Sequence, residues 1–175
     1  MDGDLAPLRD FVELKSTYPK VVLYIDEAHA IGVRGGHGYG VAEEVGVLSD
    51  IDLLIGTFGK ALGSMGAYVA GSEVLRTLLI TRCRSLIYST MLPPLIVQWI
   101  LRVWQALPLL TLRRQYLTTL QAQLFRALGE LPLAVLPVRQ SHIVPILCGD
   151  RGRARRLSQA LHAEGYFIRP IMAPT

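Results

Sequence analysis

Cysteine is scarce: the 175 residues hold two, Cys83 and Cys148, far apart and outside any C-x-x-C spacing. That excludes a disulfide framework and a cysteine-based zinc site, and it suits a reducing compartment. Charged residues are few, 18% against 51% hydrophobic, so a disordered solvated chain is excluded and a real core is expected. The charge that exists is unbalanced, 18 Lys and Arg against 14 Asp and Glu, a net charge of +4, with arginines densest at Arg151, Arg153, Arg155 and Arg156. Aromatics amount to 7% and do not interleave with those arginines, so the pattern of a nucleic-acid module is missing and the arginines read as a solvated helix face. An unbroken apolar run is lacking as well. The nearest candidate, between Arg84 and Arg102, is split by Pro93-Pro94 and diluted by Ser89, Thr90 and Gln98, so no membrane span is expected. Met1-Asp2-Gly3-Asp4 does not open a basic-then-apolar leader, and the default location is the cytoplasm.

What is present is organised around Val21 to Lys60. Val21-Val22-Leu23-Tyr24-Ile25 reads as a parallel strand with apolar residues on both faces, covered on each side and central in its sheet, and it runs into Asp26-Glu27-Ala28-His29. Ile51 to Ile55 reads as a second strand running into Thr57-Phe58-Gly59-Lys60. Polar clusters at the carboxyl ends of neighbouring strands in an open α/β sheet are where ligands bind.

Around this stretch the spacing predicts a helix from Leu5 to Leu14 capped by Asp4 and stopped by Pro19, and a glycine-rich loop through Gly32, Gly35, Gly36, Gly38 and Gly40 that holds His37. It further predicts a third strand, Ala67 to Ala70, a helix started by Ser72 and Glu73, and a short strand Leu86-Ile87-Tyr88. A helix from Pro94 to Gln105 is apolar nearly all round and is expected to be buried, with Trp99 and Trp104 in the core and Pro108 as its end. A second long helix spans Leu110 to Leu128, stopped by Gly129. The tail reads as strands near Leu133 to Val138, Ile143 to Leu147 and Tyr166 to Ile168, with a basic helix over Gly152 to Glu164 closed by Gly165, before Ala173-Pro174-Thr175. This divides the chain into 1–107 and 108–175, an α/β part with a mostly parallel sheet and the start of a smaller α+β domain.

Lys60 is the sharpest chemical candidate, because a lysine in a glycine-rich turn beside an apolar strand can act as a nucleophile toward a carbonyl. Asp26 and His29, three residues apart, suit a metal, an acid–base pair or a heteroaromatic cofactor that needs a negative partner for a ring nitrogen. Asp26-Glu27-Ala28-His29 also spells the magnesium box of helicase-type ATPases, but that reading requires a G-x-x-x-x-G-K-[ST] loop upstream. Gly59-Lys60-Ala61 follows the box and lacks the hydroxyl. Ser64 reads as a turn-stabilising hydroxyl, His37 as an exposed residue and His142 as a structural histidine.

Ile25-Asp26-Glu27-Ala28-His29-Ala30-Ile31-Gly32, Gly56-Thr57-Phe58-Gly59-Lys60-Ala61-Leu62-Gly63 and Tyr88-Ser89-Thr90-Met91-Leu92-Pro93-Pro94 resemble, in the same order, segments of the α-oxoamine synthases. These are pyridoxal-phosphate enzymes of the aspartate-aminotransferase fold (fold type I) that condense an amino acid with an acyl thioester. Ala28 to Val33 with Gly35, and the Thr57 to Lys60 form, are most similar to the biotin-pathway branch, which makes 8-amino-7-oxononanoate from L-alanine and pimeloyl-CoA or pimeloyl-ACP. The resemblance implies that Lys60 holds pyridoxal phosphate as a Schiff base and later moves the α-proton. It implies that Asp26 pairs with the pyridine nitrogen, that His29 hydrogen-bonds the phenolic oxygen, and that Thr57 supports the phosphate or that oxygen. It further implies that Ser89 and Thr90 reach the phosphate in the partner's site of a homodimer. Metal ligation is not implied.

The departures matter too. The family's upstream glycine-rich segment with its ring-stacking residue, and its downstream arginine for the amino acid's carboxylate, have no counterpart, so the sequence reads as a middle-to-late fragment with impaired activity. Glycine- or serine-using relatives, such as 2-amino-3-ketobutyrate CoA ligase and serine palmitoyltransferase, and a non-catalytic remnant are the alternatives.

Overall fold

Three strands form one sheet in the order β1 (Tyr24–Asp26), β2 (Leu53–Thr57) and β3 (Ala67–Gly71) in the computed structural model, which describes residues 2–135 and 141–172. β1 pairs with β2 in parallel, Tyr24 opposite Leu53 and Asp26 opposite Ile55, whereas β2 and β3 are antiparallel with Gly56 opposite Tyr68. Two expectations change here. The strand read over Val21 to Ile25 is regular only from Tyr24, and it is an edge of this sheet with Val22 and Tyr24 exposed, while β2 takes the centre. The sheet, expected to be mostly parallel, is mixed among the described residues. The connection from β2 to β3 is a tight turn, too short for the crossover that a parallel pair needs.

Between β1 and β2 the chain passes through the glycine loop, α2 (Val41–Val45) and a 3-10 turn (Leu48–Asp50). Leu8 of α1 (Leu8–Thr17) meets Ala30, Val41, Ala42, Val47 and Leu54 in a core that Leu5, Val12, Ile25, Val45 and Ile51 border. Each large buried aliphatic here contributes about 1.5–3 kcal/mol. Asp4 does not cap α1, since Pro7 occupies the N-cap position. At the amino end of the sheet, Asp52 accepts the N–H of Leu23 at 2.8 Å and pairs with Lys15 at 2.8 Å.

Ser72 caps α3 (Glu73–Arg82), its hydroxyl accepting the N–H of Leu75. The strand expected at Leu86-Ile87-Tyr88 is instead the end of a helical turn, α4 (Arg84–Ile87), in which the N–H groups of Leu86 and Ile87 both reach the Cys83 carbonyl. α5 (Pro94–Ala106) begins at the second proline, but Pro108 does not end the run. It lies in the first turn of a 3-10 segment (Leu107–Leu110), where a missing N–H is harmless, and α6 (Thr111–Gly129) follows without a break. The expected burial of α5 is also corrected. Only Ile100 is buried in it, Leu95 is 75% exposed, and Trp99, read as core, is 54% exposed, while Trp104 is half-buried and stacks on Tyr39. By length and composition alone, the run Pro94–Gly129 is long and apolar enough to cross a membrane, with a mean hydropathy of 1.5 over its most apolar stretch.

The chain divides into two compact units, Leu5–Leu117 and Met1–Asp4 with Thr118–Thr175, the division falling inside α6. In the latter unit β4 (Ala134–Val135) pairs antiparallel with β5 (Ile146–Leu147), and Asp150 caps α7 (Arg151–Ala163) by accepting the N–H of Arg153. Gly165, at φ 88°, closes α7 with its N–H on the His162 carbonyl. Tyr166 to Ile168 is not a strand, and the Ile168 carbonyl instead accepts the Ser158 hydroxyl. Residues 136–138 of the strand expected near Leu133, and Ala173 to Thr175, lie outside the described residues.

Candidate active site

Parallel pairing sets the carboxyl ends of β1 and β2 side by side, and those ends are Asp26 and Thr57. Asp26 is exposed, and one of its oxygens accepts the N–H of Ala28 at 2.8 Å, an Asx turn that bends the chain toward His29. The turn after Thr57 is closed from several sides. The Thr57 hydroxyl donates to the Gly66 carbonyl and accepts the Gly59 N–H, Phe58 N–H also reaches Gly66, and Ser64 N–H reaches Phe58. Gly63 and Gly66 take positive φ, 60° and 89°, which a side chain would strain. Lys60 projects from this rigid turn, exposed, and among the described residues its ammonium has neither a hydrogen bond nor an ion pair.

His29 reports that the three groups are within electrostatic reach of one another. Its pKa is lowered, first by partial desolvation and next by the positive charge of Lys60, with Asp26 pulling the other way. A depressed imidazole is neutral at pH 7. Its contribution to stability is therefore present above its ordinary value near 6.5 and is lost as pH falls through the depressed one. In Lys60→Ala the His29 pKa is expected to rise, as followed by proton NMR titration of the ring; an unmoved value would separate the two residues.

Glu27, next to Asp26 in sequence, faces the other way and is 3% exposed. Its two oxygens accept the N–H groups of Val41 at 3.0 Å and Ala42 at 2.7 Å, which caps α2. Burial raises its pKa, against the lowering effect of those two bonds. A magnesium box needs adjacent, available carboxylates, and this pair is divided between surface and core. Gly40, at φ 108°, is the price of that cap: a Cβ there would sit 2.7 Å from the Glu27 carboxyl carbon.

The rest of the glycine loop is equally tied. Glu43 accepts the N–H groups of His37 and Tyr39 and pairs with the His37 ring, Arg34 pairs with Glu44, and Arg114, 8% exposed on α6, donates to the carbonyls of Gly36 at 2.6 Å and Leu107 at 2.7 Å. His37 is thus exposed, as expected, but bonded. Beneath the Lys60 turn, the Tyr68 ring lies across Gly56, where a Cβ would overlap it, and packs against Phe58 and Trp104 at centroid distances of 5.3 and 5.4 Å. Burial pushes the Tyr68 phenol up to about 12, with the Glu27 charge adding to it. Ser64 supports the turn through its backbone, while its hydroxyl is buried with no partner among the described residues.

Glu27, Arg114 and Tyr68 are the residues that sequence reasoning missed as supports of the site. The period-two alternation of a strand carries a signal only for the first, placing it opposite Asp26. Ser89 and Thr90 lie exposed after α4, with the Ser89 hydroxyl on the Leu86 carbonyl, and among the described residues no hydrogen bond joins them to Asp26, His29 or Lys60. Their segment is anchored at Leu92, whose side chain covers Gly66. His142 is half-buried in the other unit.

An unpaired amine, a carboxylate with one oxygen open and a neutral imidazole form a donor set that fits a pyridine aldehyde, the reactive part of pyridoxal phosphate. Comparison with known proteins points the same way. The chain is 48% identical over its whole length to a Pasteurella multocida protein provisionally named 8-amino-7-oxononanoate synthase, covering 45% of it, and 43% identical to one of the same name from Neisseria meningitidis, covering 46%. Among solved structures it matches Sphingomonas wittichii serine palmitoyltransferase with TM-score 0.91 at 29% identity, over 99% of this chain and 44% of that one. It matches 8-amino-7-oxononanoate synthase of Francisella tularensis with TM-score 0.80 at 27% identity, over 98% and 51%. A serine palmitoyltransferase from S. paucimobilis, solved with pyridoxal phosphate and myriocin, gives 0.92 at 27% identity, over 99% and 44%. The chain therefore spans about half the length of the relatives it matches. With residues 1–175 all matching the family model for aminotransferase class I and II, and with part of a fold type I architecture in place, the chain belongs to that family of pyridoxal-phosphate enzymes.

Proposed function

We propose that the chain is part of a pyridoxal-phosphate-dependent acyltransferase that condenses L-alanine with a pimeloyl thioester, pimeloyl-CoA or pimeloyl-ACP, to give 8-amino-7-oxononanoate, carbon dioxide and the free thiol. The observation that carries this reading is that two paired parallel strands end at Asp26 and at the Lys60 turn, close enough for the charges of both residues to act on the His29 ring. When bound, pyridoxal phosphate supplies a ring that withdraws electrons from the amino acid's α-carbon. Lys60 is the residue that holds its aldehyde carbon and moves the α-proton, since its amine is otherwise unengaged. Asp26 keeps a proton on the ring nitrogen by opposing charge. His29, kept neutral first by partial desolvation and next by the Lys60 charge, donates to the phenolic oxygen. Thr57 supports the phosphate or that oxygen through the turn its hydroxyl closes, donating to Gly66 and accepting from Gly59, which fixes where Lys60 stands.

Ser89 and Thr90 are assigned to the phosphate of the partner's site in a homodimer. The broad apolar exposure of α5 supports such an assembly, as a large apolar face in water calls for a cover. The two units are read as part of a large cofactor-binding domain and the start of a small one. Location in the cytoplasm, without a membrane span or nucleic acid, goes with the biosynthetic relatives and with the packing of Arg114 onto Gly36 and Leu107 inside the apolar run.

The sequence similarity favours alanine, whereas the likeness to serine palmitoyltransferases favours serine as the second reading. Purified chain with pyridoxal phosphate, pimeloyl-CoA and either alanine, glycine or serine is expected to release carbon dioxide and 8-amino-7-oxononanoate with alanine alone and at an impaired rate, by mass spectrometry. Turnover with serine would move the chain to the other branch. Cofactor attached without any turnover would leave the remnant reading.

A further inference from the structure

Four arginines crowd the first half of α7. Arg151, Arg153, Arg155 and Arg156 are all exposed, within the first two turns of the helix. At 100° per residue, Arg151 and Arg155 fall on one stripe that His162 continues, while Arg153 and Arg156 fall on the next. The half-buried Ala154, Leu157 and Leu161 take the remaining arc and dock the helix. Among the described residues no ion pair engages Arg153, Arg155 or Arg156. The neighbouring acid, Asp150, accepts the Arg153 backbone N–H and feels the charges of Arg156 and Arg153, and among the described residues it forms an ion pair with neither. Arginines in a first turn also oppose the helix dipole, so this placement costs local stability instead of adding to it.

We propose that this face docks an acidic acyl-carrier protein, the bearer of the thioester in the reaction proposed above, on which this inference rests. Guanidinium groups form forked hydrogen bonds to carboxylates, and an acidic helix presents these in a row. The arginines fan over more than a third of the helix circumference and do not converge on one point. That geometry suits an extended carboxylate-bearing surface better than the clustered phosphates of a free coenzyme A. Single-stranded nucleic acid would also need stacking aromatics, and none lies among these arginines.

The test is fluorescence anisotropy of a dye-labelled bacterial holo-acyl-carrier protein titrated with the full chain. Wild-type binding is expected to weaken about tenfold between 50 and 300 mM salt and at least about tenfold in Arg153→Glu/Arg155→Glu/Arg156→Glu, with the Arg→Gln triple variant in between. Circular dichroism and retained cofactor absorbance report that the variants are folded. Lys60→Ala is expected to bind the carrier as wild type does, so a failed reaction and a failed docking surface remain distinguishable. Equal binding by the charge-reversed variant, displacement by equimolar free coenzyme A or duplex DNA, or no binding by wild type would each overturn the proposal.

Discussion

Replacing Lys60 with alanine is expected to abolish the visible absorbance that covalently held pyridoxal phosphate gives, and with it borohydride-fixed labelling of the chain. The same amine is assigned both the attachment and the proton transfer. Losing a nucleophile and a general base together removes about four orders of magnitude in kcat/KM, or all measurable turnover. The fold should not notice: the side chain is exposed and unpaired, and such surface changes stay within about 0.5 kcal/mol. Lys60→Arg sharpens the result. It keeps the charge that depresses His29 but not the nucleophile, so the absorbance is lost while the imidazole titration is unchanged. Absorbance that survives in Lys60→Ala would sink the assignment outright.

Glu27→Ala is expected to be the most damaging single change to stability. It strands the buried N–H groups of Val41 and Ala42, and two hydrogen bonds to a charged acceptor are involved. Allowing for relief of the carboxylate's own desolvation, the net loss is about 2–4 kcal/mol by urea denaturation. The pH dependence has a definite sign. A carboxyl whose folded pKa is raised binds its proton more tightly in the folded state. Its contribution is therefore fullest below about pH 4.5 and declines as pH rises through the raised value. The gap between wild type and Glu27→Ala should accordingly be smaller at pH 8 than at pH 4. A gap under about 0.5 kcal/mol at both would remove the cap from the account of the fold.

The residues assigned to the site stand out in the sequence because each is a polar interruption where an apolar run ends: Asp26 after Tyr24-Ile25, Thr57 and Lys60 after Leu53 to Gly56. Among the caps, Ser72 was legible, whereas Asp4, read as the cap of α1, gives way to Pro7, and Asp150 was not read as a cap at all. What was not legible acts across the chain. Arg114 reaches Gly36 over a separation of 78 residues, and no pattern in either segment names the other. Leu86-Ile87-Tyr88 failed because three apolar residues have no period, and hydrogen bonds to Cys83 decided the matter. Pro108 failed because a proline stops a helix only where an N–H is required. α5 failed differently: its composition told that it needs a cover, but composition does not tell whether the cover lies in the same molecule.

The lock between Lys15, Asp52 and Leu23 lies at the opposite end of the sheet from the chemistry, yet it sets the alignment of the two strands like a vernier. β1 and β2 meet over three residue pairs, and side chains alternate faces, so a slip of one notch would present Glu27 or Ile25 where Asp26 stands. A surface ion pair that contributes little to stability can in this way decide which carboxylate stands at the end of β1, where the ring-nitrogen partner is proposed.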